Sequence, residues 1–375
     1  MIIIPAKKSL ELYYYTSVET MTYILQGANI YATNLLYMND SEEYFNGLKE
    51  LRCIINDKAD LGNGEELIPK EKLDRAMRDE VTKYSISFST AKDLLSQWST
   101  YAGESGVSLK MRFTGQEKYK AKYKEKDKEA NKEKDKEADK EKREYVTKLE
   151  LLPRKVYYCT RSAMKNSEYM KIKEKIWKAI EDANSNTTVG DLNENVNFIW
   201  NDMTPYVKRY EFSAEEEYRL VFDWTELLKP FTIDYRNDEN VLKPYLDIEC
   251  ENGWPICEII VGPGFNQDVV FKSILHFLNH RDIQTNKLSN KDYCKKCEEY
   301  LKMDGVMPLK IKEIWEERKS KIIRGEENER YSEFVKIRQE ILLLQEESEY
   351  IEKLNRREFS KDGIILSKSG IPYIF

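Results

Sequence analysis

The chain has 375 residues, of which 41% are hydrophobic and 12% aromatic, so it can bury a sizeable core in one large or two ordinary domains. Its formal net charge of −6 argues against a general phosphate-binding surface. The sequence has no apolar run of about 18 residues and no signal peptide, so we expect no membrane span and a cytoplasmic protein with reduced cysteines.

The first third of the chain alternates short strands and helices. The residue pattern predicts strands at 10–17, 30–33, 84–89 and 106–113, and helices at 18–26, 42–56, 69–83 and 94–101. Asn39-Asp40-Ser41 is typical of a turn followed by a helix N-cap. Strand 84–89 alternates aromatic or aliphatic residues with serine, which predicts a half-buried strand with its serines on one face.

Residues 116–148 have low complexity. Lys124–Ala130 recurs as Lys132–Ala138, an eight-residue repeat of mixed charge. Such a repeat cannot bury a core, so it is either a solvated helix held by Glu–Lys pairs or a flexible insertion. We expect a partly helical insertion with no catalytic part.

The rest of the chain completes a mixed fold. The pattern predicts strands at 154–159, 215–224, 245–250, 257–261, 364–366 and 371–373, and helices at 167–183, 190–202 and 267–279. Residues 290–358 form a second charged helical insertion, with an amphipathic helix over Tyr331–Leu354. We therefore expect an α+β fold with a mixed, largely antiparallel sheet flanked by helices. The expected division is a core over 1–290, the insertion over 291–358, and a C-terminal strand within 359–375 that rejoins the sheet.

The segment Glu215–Phe222 is the most informative for function. On a strand, alternate residues share a face, so Glu215, Glu217 and Arg219 would form a charged cluster opposite an apolar face. Like charges raise a carboxylate pKa and the arginine lowers it, which suits acid–base chemistry or a cationic sugar-like ligand. The alternative is a solvated strand face with a cross-strand ion pair.

Two residue pairs have metal-ligand spacing. His276 and His280 are four apart on a predicted helix, but the acidic residue of a zinc protease motif is missing. Cys294 and Cys297 form one CxxC without a second pair, so helix-surface thiols are the simpler interpretation. We expect no metal site.

Several short motifs follow one another in a characteristic order. They are Leu12-Tyr13-Tyr14-Tyr15-Thr16-Ser17, Asn39-Asp40 with Glu43, Ser87-Phe88-Ser89, Trp98-Ser99-Thr100-Tyr101-Ala102 with Gly106-Val107, Lys208, Glu215-x-Glu217-Tyr218-Arg219, Ile259-Ile260-Val261-Gly262-Pro263 and Ser369-Gly370-Ile371-Pro372-Tyr373. This order resembles the bacterial family called domain of unknown function 2971, over about residues 10–290 plus the final strand. The chain departs from the family at Ser41, where proline is usual, and at Ile374, where a terminal arginine is common.

The opening of that family looks like that of ADP-ribosyltransferase-like toxins. The resemblance implies NAD as cofactor, a protein or nucleic-acid acceptor, and a toxin or antiphage-defence setting. It assigns catalysis to Glu217, with Glu215 and Arg219 beside it. The residues it implies for binding NAD are Tyr14, which stands where histidine or arginine is usual, and Thr16, Ser87, Ser89, Trp98 and Lys208. A fixed carboxylate would stabilise the cationic sugar of the transition state without a metal or a histidine.

Two other functions remain open. The chain could be a non-enzymatic nucleotide-sensing or protein-interaction module, with its partner bound through the charged segments 116–148 and 290–358. It could also be a metal-dependent nuclease using Asp40, Glu215, Glu217 and Lys208. For Trp98 the alternative role is core packing, and for Asn39 it is a helix cap.

Overall fold

A computed structural model describes most of the chain. The described residues are 9–27, 29–38, 42–57, 66–77, 79, 81–103, 106–121, 149–159, 167–184, 196–197, 199–223, 233–238, 240–280, 288–302, 305–325, 329–344, 348–360 and 362–371. The predicted turn at 39–41, the repeat at 124–138, residues 190–195 of a predicted helix, and Ile374 lie outside these residues.

The fold is α+β with a mixed, mostly antiparallel arrangement of strands, as predicted. The chain divides into two compact units. Unit 1 comprises Asn29–Thr90 and Thr114–Glu251, and unit 2 comprises Ser9–Ala28, Ala91–Phe113 and Asn252–Phe375. Each unit draws on separate stretches of sequence. The division expected from sequence, with a core over 1–290, stays a prediction.

The strands are numbered in chain order. They are β1 Leu10–Ser17, β2 Ile30–Asn34, β3 Lys83–Ser89, β4 Gly106–Phe113, β5 Lys118–Ala121, β6 Leu149–Glu150, β7 Arg154–Lys155, β8 Tyr157–Cys159, β9 Val207–Arg209, β10 Glu217–Asp223, β11 Asp234–Asp238, β12 Val241–Cys250, β13 Ile256–Val261, β14 Arg357–Phe359 and β15 Ile365–Lys368.

The α-helices are numbered in the same way. They are α1 Val18–Leu25, α2 Glu43–Asn56, α3 Lys70–Ala76, α4 Leu95–Gln97, α5 Ser167–Asn184, α6 Gln267–His280, α7 Asn290–Leu301, α8 Leu309–Arg324, α9 Arg330–Leu342 and α10 Ser348–Asn355. A π-helical turn, Trp98–Ala102, follows α4, and a 3₁₀ helix, Tyr210–Glu215, precedes β10.

In unit 1 the described pairs of the main sheet are antiparallel. β3 pairs with β2 and β10, β2 pairs with β12, and β12 also pairs with β11 and β5. β8 and β9 form a separate parallel pair. The register places Glu217 opposite Ser89 and Arg219 opposite Ser87. The serine face of β3 therefore meets the charged face of β10.

Helix α2 anchors the core of unit 1. Its buried residues Leu48, Leu51, Ile54 and Ile55 recur at helical spacing and make one apolar stripe. This stripe belongs to a core that also contains Ile68, Cys159, Ile176, Val196, Trp200, Met203 and Val207. The first residue of the helix, Glu43, is nevertheless buried, at 5% exposure.

Gly47 allows α2 to lie close to β9. A Cβ atom at this position would stand 2.6 Å from the Val207 carbonyl oxygen. Helix propensity alone favours alanine over glycine by about 1 kcal/mol.

We expect Gly47→Ala to lower the free energy of unfolding by about 1–3 kcal/mol, since the backbone contact forces the helix to shift. Denaturant unfolding measures this. The exposed Lys49→Ala is the control, expected within about 0.5 kcal/mol of the wild type. A stabilised Gly47→Ala protein would contradict the contact.

Unit 2 contains paired strands and a set of packed helices. β4 pairs antiparallel with β1 and β13, and β13 pairs in parallel with β15, which also pairs antiparallel with β14. The helices from α7 to α10 bury a core made mostly of aromatic and aliphatic side chains. It contains Tyr293, Tyr300, Leu301, Ile311, Trp315, Ile322, Phe334, Ile337, Ile341, Leu354 and Phe359.

The structure bears differently on the predictions for the two charged segments, 116–148 and 290–358. The second is helical, as predicted, but the single helix expected over Tyr331–Leu354 is wrong, because α9 ends at Leu342 and α10 begins at Ser348. The bounds predicted for the first insertion are also wrong. Residues 118–121 form β5, which pairs with β12, and Tyr119 on it is fully buried.

Candidate functional site

Five charged side chains of unit 1, four of them buried and one half-buried, form a group here called the charge cluster. They come from four segments: Glu43 begins α2, Lys208 lies on β9, Glu215 ends the 3₁₀ helix, and Glu217 and Arg219 lie on β10. The predicted solvated strand face is therefore wrong, because Arg219 is only 2% exposed and Glu217 only 4%. Buried charges persist only when they are paired.

Arg219 is the centre of the charge cluster. Its Nε donates to Glu217 Oε1 at 2.7 Å and its Nη2 donates to Glu217 Oε2 at 3.0 Å. Nη2 also bonds to Glu43 Oε1, and Nη1 donates to the Pro205 carbonyl oxygen at 2.8 Å. The guanidinium thus holds two carboxylates and a backbone carbonyl at once. This fork geometry is one that lysine could not reproduce.

Lys208 connects the three carboxylates. Its Nζ lies 2.7 Å from Glu215 Oε2, 2.9 Å from Glu43 Oε2 and 3.3 Å from Glu217 Oε2. It also lies 4.6 Å from the ring centroid of Phe212. Both oxygens of Glu217 are therefore engaged, Oε1 by Arg219 and Oε2 by Arg219 and Lys208.

The local backbone differs from the predicted continuous strand. β10 begins only at Glu217, and Glu216 takes a left-handed conformation with φ of 46°. A non-glycine residue rarely adopts such a φ. Glu215 therefore reaches Lys208 from the end of a 3₁₀ helix rather than from the strand face.

Three carboxylates meet two cations in the charge cluster, and the pKa values reflect this imbalance. Burial alone would raise the pKa of Glu217, but Arg219 and Lys208 outweigh it and hold the pKa well below 4.5, with help from Ser87. Burial would lower the pKa of Lys208, but Glu217 and Glu43 outweigh it and raise the pKa. Glu215 behaves in the opposite way to Glu217: burial raises its pKa above 4.5, despite Lys208.

These pKa shifts predict that the contributions of Glu217 and Glu215 to the stability of the fold depend on pH in opposite directions. The lowered pKa of Glu217 gives stability that is present above pH 4.5 and is lost as the pH falls through the folded-state pKa. The raised pKa of Glu215 gives stability that is present below pH 4.5 and is lost as the pH rises through its folded-state pKa. We therefore expect the destabilisation caused by Glu217→Gln to shrink from pH 6 to about pH 3, measured by urea unfolding. A destabilisation that grows on acidification would contradict the assigned pairing.

The other predicted residues of unit 1 lie beside the charge cluster. Ser89 Oγ donates to the Glu215 carbonyl oxygen at 2.6 Å. Ser87 stands opposite Arg219 in the sheet. The structure thus brings together Ser87, Ser89, Lys208, Glu215, Glu217 and Arg219, all on unit 1.

The remaining predicted binding residues lie on unit 2. Tyr14 and Thr16 are on β1, paired with Leu109 and Val107. Trp98 is buried, its Nε1 donates to Asp93 Oδ1 at 2.7 Å, and its ring stands 4.7 Å from that of Tyr15 in an edge-on contact. For Trp98 these contacts favour the alternative of core packing.

Two residues of unit 1 were missed as site residues. Glu43 was read as part of a family motif, although its carboxylate joins Arg219 to Lys208. Tyr158 accepts a hydrogen bond at its hydroxyl from the Glu217 backbone N–H at 2.8 Å. The only sequence signal for Glu43 was its place in that motif, and nothing in the sequence pointed to Tyr158.

A cleft opens beside the charge cluster on unit 1. It has a volume of about 390 Å³ and is lined by Thr90, Lys155, Tyr158, Ser213, Glu216 and Tyr218. Every lining side chain carries a polar group. The Thr90 hydroxyl bonds to Glu216 Oε2, which leaves acceptor capacity on that carboxylate for a ligand. The Glu217 side chain is not among those that line the cleft.

The histidine pair and the cysteine pair with metal-ligand spacing each have a defined environment in the structure. The rings of His276 and His280 stack at 4.1 Å, and His280 Nδ1 lies 2.8 Å from the His276 carbonyl oxygen. Cys294 and Cys297 are free and buried, and burial raises the pKa of both thiols. In the part of the chain that the structure describes, no group of three or more His, Cys, Asp or Glu side chains could hold a metal ion. Asp40, required by the nuclease alternative, lies outside it.

Within the described ranges, no helix is both long and apolar enough to span a membrane. Comparison with protein-family models, with curated proteins and with solved structures finds no match to this chain. A function therefore has to be inferred from the chain's own residues.

Proposed function

We propose that unit 1 is a nucleotide-binding module that holds its ligand in the 390 Å³ cleft and does not turn it over. The observation that carries this proposal is the lining of the cleft, which combines one ammonium, one carboxylate, two phenols and two aliphatic hydroxyls. Small-molecule sites typically measure 300–1,000 Å³, and most are apolar. A polar cleft of this size suits a ligand rich in hydroxyl groups.

Each part of a nucleotide has a matching side chain in the cleft. The Glu216 carboxylate suits ribose hydroxyls, as an acidic residue does in dinucleotide-binding folds. The Lys155 ammonium suits a phosphate, and the ring of Tyr218 suits a base, since base–aromatic stacking contributes about 1–3 kcal/mol. The left-handed backbone at Glu216 is also the kind of strain that collects at ligand sites.

The state of Glu217 favours binding over catalysis. A carboxylate that stabilises a cationic sugar has to approach the reacting carbon closely. Here both oxygens of Glu217 already pair with Arg219 and Lys208 inside the fold. We infer that Glu217 supports the wall of the cleft through Tyr158, which accepts from its backbone N–H and lines the cleft.

The second candidate is NAD-dependent ADP-ribosyl transfer, as in the toxins that the family resembles. One observation favours it: the side chain of Glu215 is 18% exposed, and burial raises its pKa. A carboxylate with these properties suits acid–base work. In that reaction Glu215 rather than Glu217 would meet the substrate.

The test is a calorimetric titration of NAD⁺, ADP-ribose and adenosine into the purified full chain. We expect saturable binding that Tyr218→Ala weakens at least tenfold. Tyr235→Ala is the matched control, because Tyr235 is 63% exposed and does not line the cleft. Absence of binding at millimolar concentrations, or equal losses in both variants, would overturn the proposal. Release of nicotinamide from NAD⁺, abolished by Glu215→Gln, would instead support the transferase.

A further inference from the structure

Unit 2 contains a second, smaller cleft that none of the functions above uses. Its volume is about 120 Å³. Its walls come from β4, β13, α7 and β14, and four of its lining side chains are cationic. They are Lys110, Arg112, Lys296 and Arg357, against the two carboxylates Glu258 and Glu299.

Two of these cations already have carboxylate partners. Glu11 lies 2.6 Å from Lys110 Nζ and 2.9 Å from Arg112, through its two oxygens. Arg112 Nη1 also lies 3.1 Å from Glu299 Oε2. Burial by itself would raise the pKa of Glu11, but Lys110 and Arg112 outweigh it and lower the pKa. With Glu11 counted, four cations meet three carboxylates.

One oxygen of Glu258 contacts two groups that do not line the cleft. Ser367 Oγ donates to its Oε1 at 2.7 Å, and Lys92 lies 3.4 Å from the same oxygen. Arg357 donates through Nη1 to the Tyr300 carbonyl oxygen at 3.2 Å.

Among the described residues, no carboxylate lies within 4.0 Å of Lys296 Nζ, and no group forms a hydrogen bond with this ammonium. Burial lowers the pKa of Lys296, Arg112 lowers it further, and Cys257 and Glu299 oppose them. Gly363 leaves room for the lysine, since a Cβ there would stand 3.3 Å from Lys296 Cδ. Lys296 is half-buried, and a bound anion would offset the cost of removing its ammonium from water.

We propose that this cleft binds one tetrahedral oxyanion, a phosphate or sulfate group, through Lys296 with Arg112 and Arg357. The volume lies below the 300–1,000 Å³ that is typical of small-molecule sites, which favours a small ion such as one oxyanion. Guanidinium and ammonium groups are the side chains that bind such oxyanions. The anion is either free in solution or the terminal group of a larger molecule, and the chemistry of recognition is the same.

The experiment is a calorimetric titration of inorganic phosphate, sulfate and glycerol phosphate into the full chain at low ionic strength. We expect saturable phosphate binding that Lys296→Met weakens at least tenfold. The matched control is Lys295→Met, an exposed neighbour on the same helix, which should bind as the wild type does. Thermal unfolding of both variants shows whether each is folded.

The outcomes distinguish a free anion from an anionic group on a larger molecule, and they distinguish both from failure of the proposal. Binding of phosphate and sulfate without glycerol phosphate indicates a free anion, and binding of all three indicates a group on a larger molecule. No saturable binding to the wild type would overturn the proposal. Equal weakening by Lys295→Met and Lys296→Met would do so as well, since it would indicate general charge attraction. None of these results depends on nucleotide binding by unit 1.

Discussion

Replacing Arg219 by methionine is expected to lower the free energy of unfolding by about 3–5 kcal/mol, the range found when one partner of a buried ion pair is removed. Arg219 holds Glu43 and Glu217 inside unit 1 and is almost fully buried. Without it, three carboxylates would face Lys208 alone. Two carboxylate charges would then be in excess of the single cation inside the fold, which is why the loss should be large.

The matched comparison is Glu215→Gln, measured by urea unfolding beside Arg219→Met. Removing this carboxylate leaves two carboxylates and two cations in the charge cluster. The raised pKa of Glu215 also means that the fold disfavours its charged form. We therefore expect Glu215→Gln to lie within about 1 kcal/mol of the wild type, or to be more stable. Equal losses in the two variants would show that the charge imbalance does not control the stability of this region.

Trp315→Ala is expected to cost about 3–5 kcal/mol, as for other aromatic residues removed from a core. Trp315 has 0% exposure on α8 and belongs to the helical core of unit 2. Its removal leaves a cavity that the surrounding aromatic side chains can fill only in part. The effect would show that the charged segment 290–358 is a packed part of its unit rather than a solvated excursion.

The control for this substitution lies on the same helix. Leu309 begins α8 and is 78% exposed, so Leu309→Ala should change the free energy of unfolding by less than about 0.5 kcal/mol. Guanidinium chloride unfolding, followed by circular dichroism, compares the two variants. A loss below 1 kcal/mol for Trp315→Ala would contradict the packing described for this core.

The sequence was informative where a local pattern determines the structure. Alternation of serine with apolar residues predicted the strand β3 and its serine face, because side chains on a strand alternate between faces. The prediction that this strand is half-buried is wrong, because Ser85 and Ser89 on the serine face are buried as well. Strand β5 was missed because its four residues, Lys118–Ala121, lie within the stretch predicted as a charged insertion. Strand β11 was missed because Asp234–Asp238 is mostly polar and carries no apolar alternation. The helix break after Leu342 also lacks a proline or glycine that would predict it.

The candidate site depended on contacts that are distant in sequence. Glu43 lies 176 residues from Arg219, and no local pattern links the two. The pattern did predict a charged cluster around Glu217, but it could not predict that its members are buried and mutually paired. It also could not predict the left-handed backbone at Glu216, since that conformation is uncommon for glutamate.

We propose that unit 1 binds a nucleotide and that Glu217 supports the fold rather than catalyses a reaction. The most direct measurement is the nicotinamide released from NAD⁺ by the wild type and by Glu217→Gln, at NAD⁺ concentrations that saturate binding. We predict saturable NAD⁺ binding without nicotinamide release above the spontaneous rate in either protein. Release by the wild type that disappears in a folded Glu217→Gln variant would contradict the claim and make Glu217 a catalytic residue.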